Sequence, residues 1–435
     1  MRFLFITKEY PPTPDPSGRI VYNIAEELKS QGHYVDIIAR DIKFHRENGC
    51  LGDVFWIEKT YWEKLSQKIH SGSFSKRDRL TYRLLTYARK VGLAFRLHRF
   101  PDSEFAITKS TVAVYEKYLQ KNQIDCVIGF FRPYSCLSAE MIIQQKNRQK
   151  NKHSKCISFY LDLVESKDRP SFMPRVLYKK LMRKSELKII SKSDFIMLPI
   201  SAKKNGDLIF NSCNCNVIYY EFPTFVVDNK ITWRPKNIET MVNSNEIKMV
   251  FAGTMTKAFR NPRIMIDMIS KVAQQLNNYV IKLDVFGGGD CADIFASCRQ
   301  LKNLIVDYHG RVSKEEVSLY EKRANFLINI MNAYEAIVPS KIFELFATGK
   351  PILNFSTQGD DGSLDYFRRY PLSYTVEWLN TTSEGKESTI KQLSSFIVDK
   401  RNDCVSISDI SGLYSQCTPQ YLANQIIQIC RNGEI

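Results

Sequence analysis

The sequence predicts an α/β protein made of two Rossmann-like domains in tandem. Three observations carry this. Residues 2–7 form an apolar strand, a loop follows, Val21, Ile24, Ala25 and Leu28 mark the apolar side of a helix ended by Gly32, and residues 34–39 form the next strand. The same order restarts at residue 248, with a strand over 248–252, a helix over 261–276 and a strand over 280–286. Finally, 435 residues with 44% hydrophobic and 25% charged content suit two or three ordinary globular domains. The polar run 228–245 reads as a linker, placing the domains at 1–225 and 226–415.

Composition narrows the classes further. No apolar stretch is long enough to span a bilayer. The opening Met1-Arg-Phe-Leu-Phe-Ile-Thr7 is too short for a signal peptide and stops at Lys8-Glu9. The 11 cysteines are scattered, Cys213-Asn-Cys215 being the tightest pair, with no zinc-type spacing. Such thiols suggest a reducing, cytoplasmic setting. The net charge of +16 permits an anionic partner: a nucleotide, an anionic lipid surface or a nucleic acid. No nucleic-acid recognition motif accompanies it, so that class is set aside.

In the first domain, the loop 8–18 is rich in proline and closes on Ser17-Gly18. A strand is expected over 54–57, then an insertion with helical patterning from Tyr61 to about Arg99. There Leu80, Leu84, Tyr87, Val91 and Phe95 share one helical stripe, with Lys76, Arg79, Arg83 and Lys90 beside it. Between Lys76 and Arg99 stand eight basic residues and one acid, Asp78. Such a helix suits an anionic membrane surface, or else simple solvation of its domain. A helix over 107–121, strands over 125–131 and 156–161, a basic helix over 175–192 and strands over 195–200 and 216–220 complete this half. Asp162 stands at the end of the strand 156–161, where it is a candidate catalytic residue or a loop cap.

The second domain carries the most informative stretch, Asn332 to Leu353. A strand over 326–330 leads into a loop. Pro339 and Ser340 then precede a short helix over 341–348, Gly349 caps it, and a strand follows over 351–354. Strand, loop and helix N-terminus together make an anion site. Val338, Ser340 and Lys341 line this turn. Glu344, one turn into the helix, would repel phosphate but can accept hydrogen bonds from a ribose diol. Arg260 stands just ahead of the helix opened by Asn261-Pro262, a position that suits a phosphate ligand. Gly287-Gly-Gly289 lacks the G-x-G-x-x-G spacing and following acid of a dinucleotide fold. His309, in the loop after the strand 304–308, reads as a packed residue rather than a catalyst.

The wording P-S-K-I-F-E-x-x-x-x-G-K-P-I at 339–352 resembles the donor-site signature of family 4 glycosyltransferases with the GT-B fold, in a bacterial form. That resemblance implies two Rossmann-like domains facing a cleft, and a final helix, about 416–435, packing back on the first. It implies that Glu344 holds the nucleotide ribose, loop amides hold the diphosphate, and Arg260 matches a basic residue that clamps it. Ser17-Gly18 matches a small-Gly pair beside the donor phosphates. Asp162 matches an acid near the sugar, without the adjoining His. The position of the first signature Glu falls on Ala336, and a second basic residue after Gly253 is replaced by Thr254.

The expected activity is transfer of a sugar from a nucleotide-diphosphate sugar to a glycan or lipid-linked acceptor, in bacterial surface polysaccharide synthesis. Retention at the anomeric carbon is implied by the resemblance alone. Asp360-Asp361 makes an unconvincing metal pair, so neither metal nor other cofactor is expected. The expected location is cytoplasmic, with peripheral attachment to the inner face of the cell membrane. The rivals are a non-catalytic GT-B-like binding or assembly subunit and a nucleotide-sugar epimerase.

Overall fold

The computed structural model describes residues 1–12, 16–70, 74–95, 105–131, 133–150, 153–161, 173–203, 216–225, 245–296, 302–332, 338–339, 341–356, 362–377 and 383–432. It divides into two compact units, Met1–Pro223 with Gln416–Ile435, and Thr224–Ser415.

The first unit is built on an eight-stranded sheet. Its strands are β1 (Arg2–Ile6), β2 (Tyr34–Asp41), β3 (His45–Glu47), β4 (Val54–Glu58), β5 (Cys126–Phe131), β6 (Lys155–Tyr160), β7 (Phe195–Pro199) and β8 (Asn216–Tyr220), in the spatial order β3-β4-β2-β1-β5-β6-β7-β8. All pairings are parallel except the edge pair β3–β4. A parallel sheet must be covered on both faces, so its strands read as unbroken apolar runs; β5 is buried at every residue. On one face Ile20, Val21, Ile24, Ala25 and Leu28 of the helix Pro16–Ser30 pack with Leu422, Ala423, Ile426 and Ile429 of the helix Pro419–Asn432. The other face is covered by the helices Phe105–Val114 and Tyr134–Gln149, through Val114, Cys136, Ala139 and Ile143.

Residues expected as one helix over 107–121 instead form Phe105–Val114 followed by a wider π-type turn, Tyr115–Leu119. The segment expected as a helical insertion contains the helices Tyr61–His70 and Lys76–Phe95. The second starts where Ser75 and Asp78 cap each other: Ser75 Oγ accepts from the Asp78 amide at 3.1 Å, and Asp78 accepts from the Ser75 amide at 2.9 Å.

The second unit has a six-stranded, wholly parallel sheet: β9 (Glu246–Ala252), β10 (Val280–Phe286), β11 (Leu304–Gly310), β12 (Phe326–Ile330), β13 (Ile352–Ser356) and β14 (Ser373–Glu377). Its spatial order is β11-β10-β9-β12-β13-β14. Numbered from β9 this is 3-2-1-4-5-6, the doubly wound order, whose direction of winding reverses between β9 and β12. Its helices include Arg263–Gln275, whose Met265, Met268, Ile269 and Val272 are buried, and Ser383–Lys400, which adds Leu393 and Ile397 to the core.

Candidate donor-binding site

Ligands of open α/β sheets bind outside the carboxyl ends of the strands where the winding reverses, because loops there diverge and leave a crevice. In the second unit that point lies between β9 and β12, paired through Phe326↔Met249, Leu327↔Val250 and Ile328↔Phe251. Two of the sequence-selected segments leave from these neighbouring ends: the loop 253–260 after β9, and the segment 331–346 after β12.

The first loop is held by backbone hydrogen bonds, and by Asp290 Oδ1 accepting from the Lys257 amide at 2.8 Å and Thr256 Oγ1 accepting from the Phe259 amide at 3.1 Å. Gly253 N–H donates to Phe286 O at 3.0 Å, Met255 N–H to Gly288 O at 2.9 Å, and Gly287 N–H to Gly310 O at 2.7 Å. This close approach demands glycine. Gly287 and Gly289 both sit at φ +134, and a Cβ there would overlap the carbonyl oxygens of Gly253 and Met255 respectively. The triple glycine is therefore a zipper between two strand-end loops. The Arg311 side chain lies over Gly288.

Arg260 closes the same loop. Its amide donates to Thr256 O at 2.9 Å, and a Cβ placed on Gly253 would stand 3.5 Å from its guanidinium. The side chain thus reaches back over the end of β9. Asn261 Oδ1 accepts from the Arg263 amide at 3.0 Å and caps the helix Arg263–Gln275.

The second segment places Val338 in the core and opens the helix Lys341–Phe346, shorter than the expected 341–348. A six-residue helix does not hold itself together. It is anchored by an aromatic cluster: Phe346 stacks on Tyr414 at 4.8 Å, and Phe343 meets Tyr366 edge-on at 5.2 Å. Tyr414 and Tyr370 donate to the carbonyls of Tyr366 and Lys350 at 2.8 and 2.9 Å. Gly349, at φ +72, ends the helix by donating to Phe346 O at 3.0 Å.

On the outer side of this helix is a charge network. Lys341 Nζ lies 3.0 Å from Glu321 Oε1 and 3.0 Å from Glu344 Oε2, and Lys314 Nζ lies 3.5 Å from Glu344 Oε1. Burial pulls the Lys341 ammonium down, but the two carboxylates outweigh it and raise it above its ordinary value. Burial likewise pushes Glu344 up, but Lys341 and Lys314 outweigh it and hold its carboxyl below the usual range. Glu344 is therefore a fixed anion, with its side chain 49% exposed, able to accept further hydrogen bonds. Lys341 is committed to two carboxylates, a setting that the sequence left unseen. Glu321 and Lys314 belong to the helix Lys314–Arg323, which the sequence announces through the capping pair Ser313 and Glu316, joined at 3.1 Å.

His309 is a packed residue: its ring stacks on Phe286 at 4.4 Å, and Nε2 lies 2.7 Å from Asp284. In the first unit, Ser17 and Gly18 open the helix Pro16–Ser30, and Gly18 is pressed against the loop after β1. A Cβ there would come within 3.0 Å of the Glu9 backbone. Asp162, Ser340 and Ala336 lie outside the described residues. Among the described residues no three His, Cys, Asp or Glu side chains gather as a metal site.

No protein-family model and no curated protein sequence matches the chain. Solved structures match along its whole length. Sucrose-phosphate synthase from Thermosynechococcus elongatus is 13% identical, with 99% of this chain and 98% of that one covered at a TM-score of 0.58. WaaG, a glycosyltransferase involved in lipopolysaccharide biosynthesis, is 12% identical over 99% and 100%, at 0.54. An α,α-trehalose-phosphate synthase (UDP-forming) from Burkholderia xenovorans, in complex with glucose-6-phosphate, is 9% identical over 99% and 100%, at 0.57. The fold is GT-B. In GT-B terms, the second unit's reversal point carries Arg260 on one loop and the Lys341–Glu344 helix on the next.

Proposed function

We propose that the chain is a glycosyltransferase that moves a sugar from a nucleotide-diphosphate sugar to a glycan or lipid-linked acceptor. The observation that carries this is the placement of Arg260 on the loop after β9 and of Glu344 on the short helix that follows β12, the two strands at the reversal point of the second sheet. Arg260 is a permanent cation with a forked donor set, fitted to a diphosphate. Glu344 is an anion held in place, fitted to a ribose diol. Phosphate and ribose thus have separate, chemically opposite partners, as a nucleoside diphosphate requires.

Sugar transfer develops negative charge on the departing diphosphate. Arg260, beside the N-terminus of the helix Arg263–Gln275, is placed to stabilise that charge, which grows in the transition state. Lys341 adds positive potential but is shared with Glu321 and Glu344, so its main work is to hold Glu344. Asp162 is proposed near the transferred sugar, and Ser17-Gly18 beside the donor phosphates, by the motif resemblance. Anomeric retention and metal independence are part of the same reading, as is a role in bacterial surface polysaccharide synthesis. The WaaG likeness and an S. aureus TarM structure holding UDP support this reading (12% identity, 99% and 100% covered, TM-score 0.55).

A thermal-shift panel of UDP-, GDP- and ADP-sugars identifies the donor, since a ligand of the native state raises its stability. Mass-detected turnover with that donor, with and without EDTA, then tests transfer and metal independence. Binding without hydrolysis or transfer to any acceptor would support instead a non-catalytic subunit, the reading to which Ala336 at the first signature position points.

A further inference from the structure

The helix Lys76–Phe95 is mounted with its apolar side outward. Its inward contacts are polar and aromatic. Tyr82 stacks on Trp62 at 5.7 Å, Trp62 Nε1–H donates to Thr86 at 3.0 Å, and Arg89 lies over the Trp62 ring at 3.8 Å. These three residues follow one another at helical spacing and define the face turned to the helix Tyr61–His70. The opposite face carries Leu80, Leu84, Tyr87 and Val91, exposed by 60, 62, 70 and 38%. At ~100° per residue they fall within about 40° of one line along the helix. Lys76, Arg77 and Arg83, all exposed, flank that line on both sides. A helix that turns half-buried Tyr82, Thr86 and Arg89 inward and exposes four large apolar side chains is the reverse of an ordinary surface helix.

We propose that this stripe is the seat of an anionic lipid bilayer, on which the first unit docks peripherally. The charge pattern selects that occupant. An apolar line edged by fixed cations matches acyl chains beneath anionic headgroups, with the helix lying in the interface plane. A second copy of the chain would bring the same cations against themselves, in a molecule whose net charge is already +16. No helix among the described residues is long and apolar enough to cross a membrane, so this face is an attachment that lies on the bilayer. The helix Arg175–Ile190 of the same unit repeats the composition. It exposes Val176 by 81% and Leu187 by 39%, together with Arg175, Lys179, Lys180, Arg183, Lys184 and Lys188.

The test is co-sedimentation of the full chain with vesicles of phosphatidylcholine alone or mixed with phosphatidylglycerol, at low salt and at 1 M salt. Two variants are compared: Leu80→Ser with Leu84→Ser and Tyr87→Ser, and Lys76→Glu with Arg83→Glu. All these side chains are exposed, so unchanged thermal unfolding should confirm that both variants fold. The native chain should sediment with the mixed vesicles at low salt and be released at 1 M, where screening shortens to about 3 Å. The triple serine variant should lose binding to the mixed vesicles at low salt. The charge variant should lose about fivefold or more per residue changed. Failure of the native chain to sediment with anionic vesicles would overturn the proposal. So would equal sedimentation of the triple serine variant, or a self-association that this variant abolishes without any vesicle binding. The vesicles contain no sugar acceptor, so these outcomes leave the glycosyl-transfer reading to stand or fall by its own assay.

Discussion

Replacing Glu344 by Gln removes one charge and one acceptor from a group held by two lysines. In the native site, Lys341 and Lys314 hold the carboxylate at 3.0 and 3.5 Å. A hydrogen bond to a charged group contributes about 1.5–3 kcal/mol. The Glu344 side chain is 49% exposed, so solvent screening places the expected loss at the lower end. That is roughly tenfold in affinity for a nucleoside diphosphate. The fold should survive, because Lys341 keeps Glu321 at 3.0 Å. Losing two part-exposed ion pairs, with Lys341 and Lys314, costs less than about 1 kcal/mol each, or a few degrees in Tm. Calorimetry with a nucleoside diphosphate and its 2′,3′-dideoxy analogue separates the contributions. The native protein should prefer the ribose form, and the variant should bind both forms alike. If Glu344→Gln weakens the dideoxy analogue by the same factor, Glu344 acts through the site's general potential and the ribose assignment is refuted.

Three further outcomes are expected. Arg260→Ala should weaken nucleoside diphosphate binding while leaving nucleoside binding unchanged, and should lower turnover more than it lowers donor affinity; equal losses for nucleoside and diphosphate would contradict its role. Gly289→Ala should destabilise the second unit by about 1–3 kcal/mol through backbone strain, with a further cost from overlap with Met255 O. Gly310→Ala, at φ +70 with open space around it, should cost less, and equal denaturant midpoints for the two would refute the zipper. Stability of the first unit should fall as pH rises. Burial pushes Glu140 up to about 8 and Glu186 up to about 7, so both hold a proton in the folded state that the unfolded chain has released. The unfolded state then binds fewer protons, and stability declines from about pH 4.5 to pH 8. Glu140→Gln with Glu186→Gln should flatten that decline in urea titrations, and an unaltered slope would place its source elsewhere.

Much of the fold was legible because a buried parallel strand advertises itself. Residues 326–330 and 280–286 were read with the ends that the structure gives. The helix Tyr134–Gln149 was not read, because its buried face carries Glu140, Gln144 and Asn147 as well as apolar residues, and the apolar period is broken. Those side chains are satisfied across the sheet, Glu140 accepting from Ser158 at 3.0 Å and Asn147 donating to Ser154 at 3.1 Å, which no local pattern can reveal. In the site, Arg260 and Glu344 were recognisable by residue type beside a strand end. Their supports were not. Glu321 meets Lys341 across 20 residues, and Gly287 meets Gly253 across 34, contacts that only the sheet order brings about.

The helix Pro419–Asn432 has a consequence for how the molecule is made. Leu422, Ala423, Ile426 and Ile429 complete the core over β1, β2 and β5, yet they leave the ribosome after every strand of both sheets. The second unit, continuous from Thr224 to Ser415, can therefore close during synthesis while the first still waits for its lid. Throughout that interval Ile20, Val21, Ile24 and Leu28 have no partner from the helix 419–432, and a greasy surface is shown to water or to a chaperone. Synthesis order and maturation order are thus inverted: the half that is translated first is finished last.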